Sequence, residues 1–446
     1  MQYLLRFVPV LCVLVALSNF MSSSHAQSLN TQPPQPIAQT SNHRVFQFPA
    51  LSGPYSVGIT AYHLVDSSRK EIYPGIEMYD VQTRQPITKL PTDRRELMIY
   101  VWYPAKAVQN PTPAPYQDEI VMYVVTLGEE NMAKAFGVSP ETFIKQLTQS
   151  VRTNASSNAP IATAQTRHPV LILSPGFGSP TKLYSALAEQ LASHGYIVVG
   201  ISHTYDVPTL FPGGRIGIQS TLFNALTSKD KENQAFDQAT DIRAKDASFV
   251  LNELQRLNAN DPQGLLAGHI DLNRVGILGH SLGGSTTLEA MLSDRRFQAG
   301  ILLDGAVYGT LARHEQNQYL QQPLMLISRE NAKVREPDVQ SFYEKRLQQD
   351  GYNLIVKGTV HNSFNDFPLI QSLLTPYAVQ QEYPFKNGIG SIASTRIIEV
   401  ITSYSVAFFN QYLNNQPEPL LKGASSDYPE VVFDAKRPAL RSLKPD

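Results

Sequence analysis

A serine hydroxyl is a poor nucleophile until a turn exposes it and a base takes its proton. Ser281 stands in Arg274-Val-Gly-Ile-Leu-Gly-His-Ser-Leu-Gly-Gly284, where an apolar run ends in Gly279-His280-Ser281-Leu282-Gly283 and a helix-forming run follows. Glycines two before and two after such a serine are needed because a side chain there collides with neighbouring backbone. The helix expected over Gly283 to Leu292 points its positive end at Ser281, where it stabilises developing negative charge. The pattern predicts attack on a carbonyl, with the amide of Leu282 as one donor to the oxyanion.

The other parts of such a site must come from further along the chain. Only His314 and His361 follow Ser281. His361 lies just past an apolar run, in Gly358-Thr-Val-His-Asn-Ser-Phe364, and is the expected base; His314 sits beside Glu315 and reads as a solvated surface residue. Two addresses compete for the carboxylate. Asp304 ends the unbroken apolar run Ala299-Gly-Ile-Leu-Leu-Asp304 and is favoured, because its side chain emerges at the strand's carboxyl edge beside the serine. Glu330, or Asp338 slightly further on, follows the next strand, the commoner address for the acid, and stays open on these grounds. The second oxyanion donor is expected from the loop Ser174-Pro-Gly-Phe-Gly178, with Phe177 supplying its amide.

These residues need a scaffold that delivers them to one edge. Beyond Pro169, short apolar runs alternate with amphipathic stretches, which predicts a parallel sheet covered on both faces. Strands are expected at Val170 to Leu173, Ile197 to Ile201, Val275 to Leu278, Gly300 to Leu303, Leu324 to Ile327 and Asn353 to Val356. Leu183, Leu187 and Leu191 mark a crossover helix closed by Gly195, and further helices are expected over about Gln238 to Leu257 and Thr395 to Leu413. Tyr55 to Leu64 and Leu97 to Trp102 suit an antiparallel edge. The expected class is α/β, an α/β-hydrolase fold with a mostly parallel central sheet, helices on both faces and helical lid insertions at about 118–153 and 207–233. One hydrolase domain over residues 43–421 would be followed by an extension, 422–446, in which Val431-Val432-Phe433 offers an edge strand.

The first 26 residues read as a signal peptide: Arg6, an apolar run from Phe7 to Leu17 holding the lone Cys12, and Ser24-His25-Ala26 before the cut. That run falls short of the roughly 20 apolar residues of a membrane span. Residues 27–42 have the composition of a linker, and the product is expected to be secreted or periplasmic. The net charge of −1, from 37 basic and 38 acidic side chains, gives no reason to expect nucleic acid as a partner. No His and Cys cluster with metal-ligand spacing and no phosphate or dinucleotide loop is present, so neither metal nor cofactor is expected.

On Ser174 to Gly178, Leu183-Tyr-Ser-Ala-Leu187 with Leu191-Ala-Ser-His-Gly195, Gly279 to Gly284, Arg296-Phe to Asp304 and Val360-His-Asn-Ser-Phe-Asn-Asp-Phe367, the chain resembles the calcium-independent, lipoprotein-associated platelet-activating factor acetylhydrolase family and its bacterial relatives, over about Leu97 to Leu413. That family takes its acid from the strand just after the nucleophile. The resemblance therefore implies a Ser281, Asp304, His361 triad and hydrolysis of short-acyl or lipophilic esters through an acyl-enzyme. Expected partners are a small-molecule or lipid ester, with transient contact at a lipid surface. The alternatives are a polyester or cutinase-like hydrolase and a non-catalytic binder of hydrophobic ligands.

Overall fold

The computed structural model describes residues 46–109, 112–116, 150–225, 228–332, 336–370 and 390–436. The signal peptide, the linker, most of the first lid insertion and the last ten residues of the extension lie outside the described residues.

The main sheet has ten strands: β1 (Ser56–Lys70), β2 (Arg94–Ala105), β3 (Ser156–Ser157), β4 (His168–Ser174), β5 (Ile197–Ser202), β6 (Ile270–His280), β7 (Ala299–Leu303), β8 (Leu324–Arg329), β9 (Gly351–Val356) and β10 (Val431–Lys436). Their order is β10-β9-β8-β7-β6-β4-β5-β2-β1-β3. The run from β9 to β5 is parallel, while β2 pairs antiparallel with β5 and with β1. The apolar runs past Pro169 are these central strands, with wider ends than expected.

Alternation along each strand divides the core in two. Ile172, Val199, Ile277, Leu302 and Leu326 pack on one face against α2 (Lys229–Ala259), α3 (Leu282–Ser293) and α4 (Pro337–Lys345). Leu171, Val198, Leu278, Ile301 and Met325 pack on the other, against α1 (Ser185–Ser193) and α5 (Ser394–Leu413). Both faces are buried, which is why the strands read as continuous apolar runs and why every central strand can present its end residue at one edge.

Two local expectations are corrected, and the edge strand offered in the C-terminal extension is found. Helix α2 begins at Lys229 rather than near Gln238; Ser228 caps it by accepting from the Lys231 amide at 3.4 Å, and Asp230 and Glu232 sit in its first turn. Its first turns are charged, so apolar periodicity could not reveal them. Residues 207–217, expected within a helical lid, form a hairpin: Thr209–Phe211 pairs with Arg215–Gly217, and Met78–Asp80 adds a third strand. Gly213 and Gly214, at φ 80° and 77°, allow the tight reversal. Residues 431–436, in the expected extension, complete the sheet as β10, with Val431 buried and Val432 exposed.

Helix α1 carries a buried acid, Glu189, which accepts from the amides of Asn154 at 3.0 Å and Ala155 at 3.3 Å. Burial pushes its carboxyl up to about 7 from an ordinary 4.5, against those hydrogen bonds. Stability linked to its protonated form is full below the ordinary value and lost as pH rises through about 7. The melting temperature is expected to fall between pH 5 and pH 8, and less so in Glu189→Gln. Equal falls in both proteins would assign the effect to another group.

Candidate active site

Ser281 joins β6 to α3 at φ 56° and ψ −118°, a conformation side chains rarely adopt. The flanking glycines have a direct explanation. A Cβ on Gly279 would lie 2.1 Å from the Gly283 carbonyl oxygen, and one on Gly283 would lie 2.0 Å from that of Ser174. Both obstacles are backbone and cannot rotate away. Gly283→Ala is expected to destabilise the fold by roughly 3 kcal/mol. A urea midpoint equal to that of the parent would contradict the tight approach of α3 to the Ser174 loop.

His361 opens a short 3-10 turn, His361–Phe364, just after β9, and its Nε2 lies 2.9 Å from the Ser281 Oγ. Its Nδ1 lies 2.5 Å from Oδ2 of Asp304, which follows β7 at φ 44°. The loop carrying His361 is anchored by Asp366, whose amide donates to the Leu183 carbonyl at 2.6 Å and whose carboxylate accepts from the Ala186 amide at 3.2 Å. Of the carboxylates weighed from the sequence, Asp304 alone meets His361 among the described residues. Glu330 is exposed and accepts from the Gly358 amide at 3.1 Å, and Asp338 lies in the first turn of α4. His314 is exposed, as expected of a solvated surface residue, 2.8 Å from Asp237 at the end of a π-helical turn.

Asp304 has a partner that sequence reasoning missed. The Arg329 amide donates to its Oδ1 at 3.1 Å, and Nη1 of the same arginine donates to its Oδ2. That Nη1 lies 3.1 Å from His361 Nδ1, but both nitrogens are donors converging on one carboxylate oxygen. Burial alone would raise the Asp304 carboxyl; the hydrogen bond and charge of His361, then the charge of Arg329, outweigh it and hold the group well below its usual range. Nη2 of Arg329 is taken by Glu336 at 3.0 Å.

The Ser174-to-Gly178 loop passes beside the elbow. Among the described residues, neither the Phe177 amide nor the Leu282 amide has a hydrogen-bond acceptor, and Leu282 is the first residue of α3, where helix amides are unsatisfied. His280 has both ring nitrogens engaged, Nδ1 with the Tyr184 hydroxyl at 2.8 Å and Nε2 with the His361 carbonyl at 2.9 Å. Burial first, then the neighbouring charge of His361, pushes it down to about 3, so it is neutral near pH 7. The sequence showed His280 inside the motif but not this use of it. No group of three or more His, Cys, Asp and Glu among the described residues is arranged to hold a metal ion.

A mostly parallel sheet that turns sharply at a serine and hands over a histidine and an aspartate from later strands defines the α/β-hydrolase fold, and this chain has it. A ferulic acid esterase from Streptomyces cinnamoneus superposes with a TM-score of 0.66 at 30% identity, covering 87% of this chain and 99% of that one. Residues 40–425 match the family described as platelet-activating factor acetylhydrolase, isoform II, and the chain belongs to it. It is 31% identical over 276 residues to a probable 1-alkyl-2-acetylglycerophosphocholine esterase of Arthroderma benhamiae, an alignment spanning 59% of this chain and 66% of that protein. It is 29% identical over 292 residues to the platelet-activating factor acetylhydrolase of Cavia porcellus, spanning 60% and 63%. The chain thus spans just under two thirds of the length of these curated relatives.

Proposed function

We propose that this chain is a secreted carboxylic-ester hydrolase that works through an acyl-enzyme on short-acyl or lipophilic esters. The observation that carries this reading is the unbroken chain from Ser281 Oγ through the His361 imidazole to Asp304. His361 Nε2 takes the serine proton as Oγ attacks the ester carbonyl, and Asp304 holds the tautomer and stabilises the imidazolium. The amides of Phe177 and Leu282 receive the oxyanion. His361 then protonates the leaving alcohol, and a water repeats the sequence to release the acid. The names of the fungal and mammalian relatives support a short acyl group on a phospholipid-like ester. Residues 1–26 act as the export signal in this reading; among the described residues no helix is long and apolar enough to cross a membrane.

Aromatic-acyl esters and polyesters are a second reading, favoured by one observation. Phe177, Phe223, Phe236 and Tyr308 form a row of rings beside Leu282, with centroids 4.5 to 5.3 Å apart between partners. Such a row suits stacking against an aryl acyl group, and the structural neighbour is a ferulic acid esterase by name. Hydrolysis of p-nitrophenyl esters from acetyl to palmitoyl, alongside methyl ferulate, separates the readings. Preference for acetyl or butyryl supports the first and preference for ferulate the second. No Ser281-dependent turnover on any ester defeats both and leaves the non-catalytic binder.

A further inference from the structure

Three consecutive residues leading into Phe177 are each gripped by a side chain from a different element. The Ser174 hydroxyl lies 3.0 Å from His203 Nε2. The Pro175 carbonyl accepts from Arg243 Nη1 at 2.7 Å. The Gly176 amide donates to the Tyr184 hydroxyl at 2.9 Å. His203 follows β5, Arg243 lies on α2, and Tyr184 immediately precedes α1. All three side chains are buried, His203 and Arg243 completely.

Each grip is itself backed. His203 Nδ1 lies 2.9 Å from Asp246, which also accepts from Arg95 Nη2 at 2.7 Å. Arg243 forms a two-pronged pair with Asp206, both fully buried. Ser174, His203 and Asp246 thus make a second serine–histidine–aspartate string, but every member is sealed from solvent, so it cannot meet a substrate. Arg95 keeps Asp246 ionised, so Nδ1 of His203 carries the proton and Nε2 accepts from Ser174. Tyr184 in turn donates to His280, whose other nitrogen donates to the His361 carbonyl, so the loop is also coupled to the turn carrying the candidate base.

Buried charges held this way are costly to desolvate and weak as general stabilisers, so a positional role explains their arrangement better than stability does. We propose that His203, Arg243 and Tyr184 are positioning residues that preset the Ser174-to-Phe177 loop so that the Phe177 amide faces the oxyanion before substrate arrives. The inference rests on the proposed role of Phe177. A hole fixed in advance needs no reorganisation during attack.

The test uses Ser174→Ala, Tyr184→Phe and Arg243→Lys in the full chain. The first two remove a single oxygen, and the third keeps the charge without the planar fork. For each, kcat and KM on p-nitrophenyl butyrate are measured with the inhibition constant of an alkyl trifluoromethyl ketone, whose hemiketal oxyanion occupies the hole. Each is expected to lose roughly ten- to a hundredfold in kcat, less than deletion of a direct donor, with KM within about twofold. Ketone affinity should fall in step with kcat/KM. Should Arg243→Lys fail to fold, the two oxygen deletions decide the matter. Variants that melt earlier but keep parental kcat and ketone affinity would overturn the positioning role and leave the ester-hydrolase reading standing. A parent protein without Ser281-dependent turnover would overturn both.

Discussion

Ser281→Ala is expected to lower kcat on p-nitrophenyl butyrate by roughly a millionfold, as when a nucleophile that works as a unit with its base is removed. The loss comes from the acyl-enzyme route itself, because among the described residues Ser281 Oγ, 2.9 Å away, is the hydroxyl that meets His361 Nε2. The fold should survive. The substitution deletes one oxygen and leaves the backbone at the elbow as it was, so the melting temperature should move by no more than about 2 °C. Circular dichroism and a phosphonate label that reacts with the parent and not with the variant complete the measurement. A folded, unlabelled alanine variant that still turns over ester would end the assignment of Ser281.

Asp304→Asn is expected to cut kcat by roughly ten thousandfold, the size of effect produced when the acid of such a triad is made neutral. The asparagine amide can donate to His361 Nδ1, which puts the imidazole proton on Nε2 and removes the acceptor for the serine proton. Asparagine keeps nearly the shape of aspartate, so what changes for Arg329, which shares the Asp304 carboxylate with His361, is the charge it faces, and Arg329→Gln measured alongside separates the two partners. If Glu330→Gln proved the damaging change and Asp304→Asn did not, the acid would be misplaced.

Much of the candidate site was legible because its residues follow largely apolar strands. Ser281 and Asp304 directly follow β6 and β7, and His361 opens the turn soon after β9, where buried parallel strands leave their successors at the sheet's carboxyl edge. The same logic favoured Asp304 over Glu330, and the family resemblance decided between them. What could not be read were contacts between elements far apart in the chain. Arg329 stands in the charged run Ser328-Arg-Glu-Asn-Ala-Lys333, which carries no apolar pattern, yet it turns inward to Asp304. Arg243 and Asp246 lie three residues apart on α2, and apolar spacing carries no trace of their burial, Arg243 against Pro175 and Asp246 against His203. The Thr209–Gly217 hairpin was hidden by its short strands, although Gly213 and Gly214 marked the turn.

The outermost position of β10 bears on the order in which the molecule assembles. Strand β9, whose end leads into the His361 turn, is flanked on one side by β8 and on the other by residues 431–436. A nascent chain that has emerged only as far as α5 carries every side chain of the candidate triad, yet still exposes the backbone of β9 along an open edge. Closing that edge is a late, long-range event, so the strand that delivers the base is among the last to be secured, and partly made chains are the ones most prone to pair with one another there.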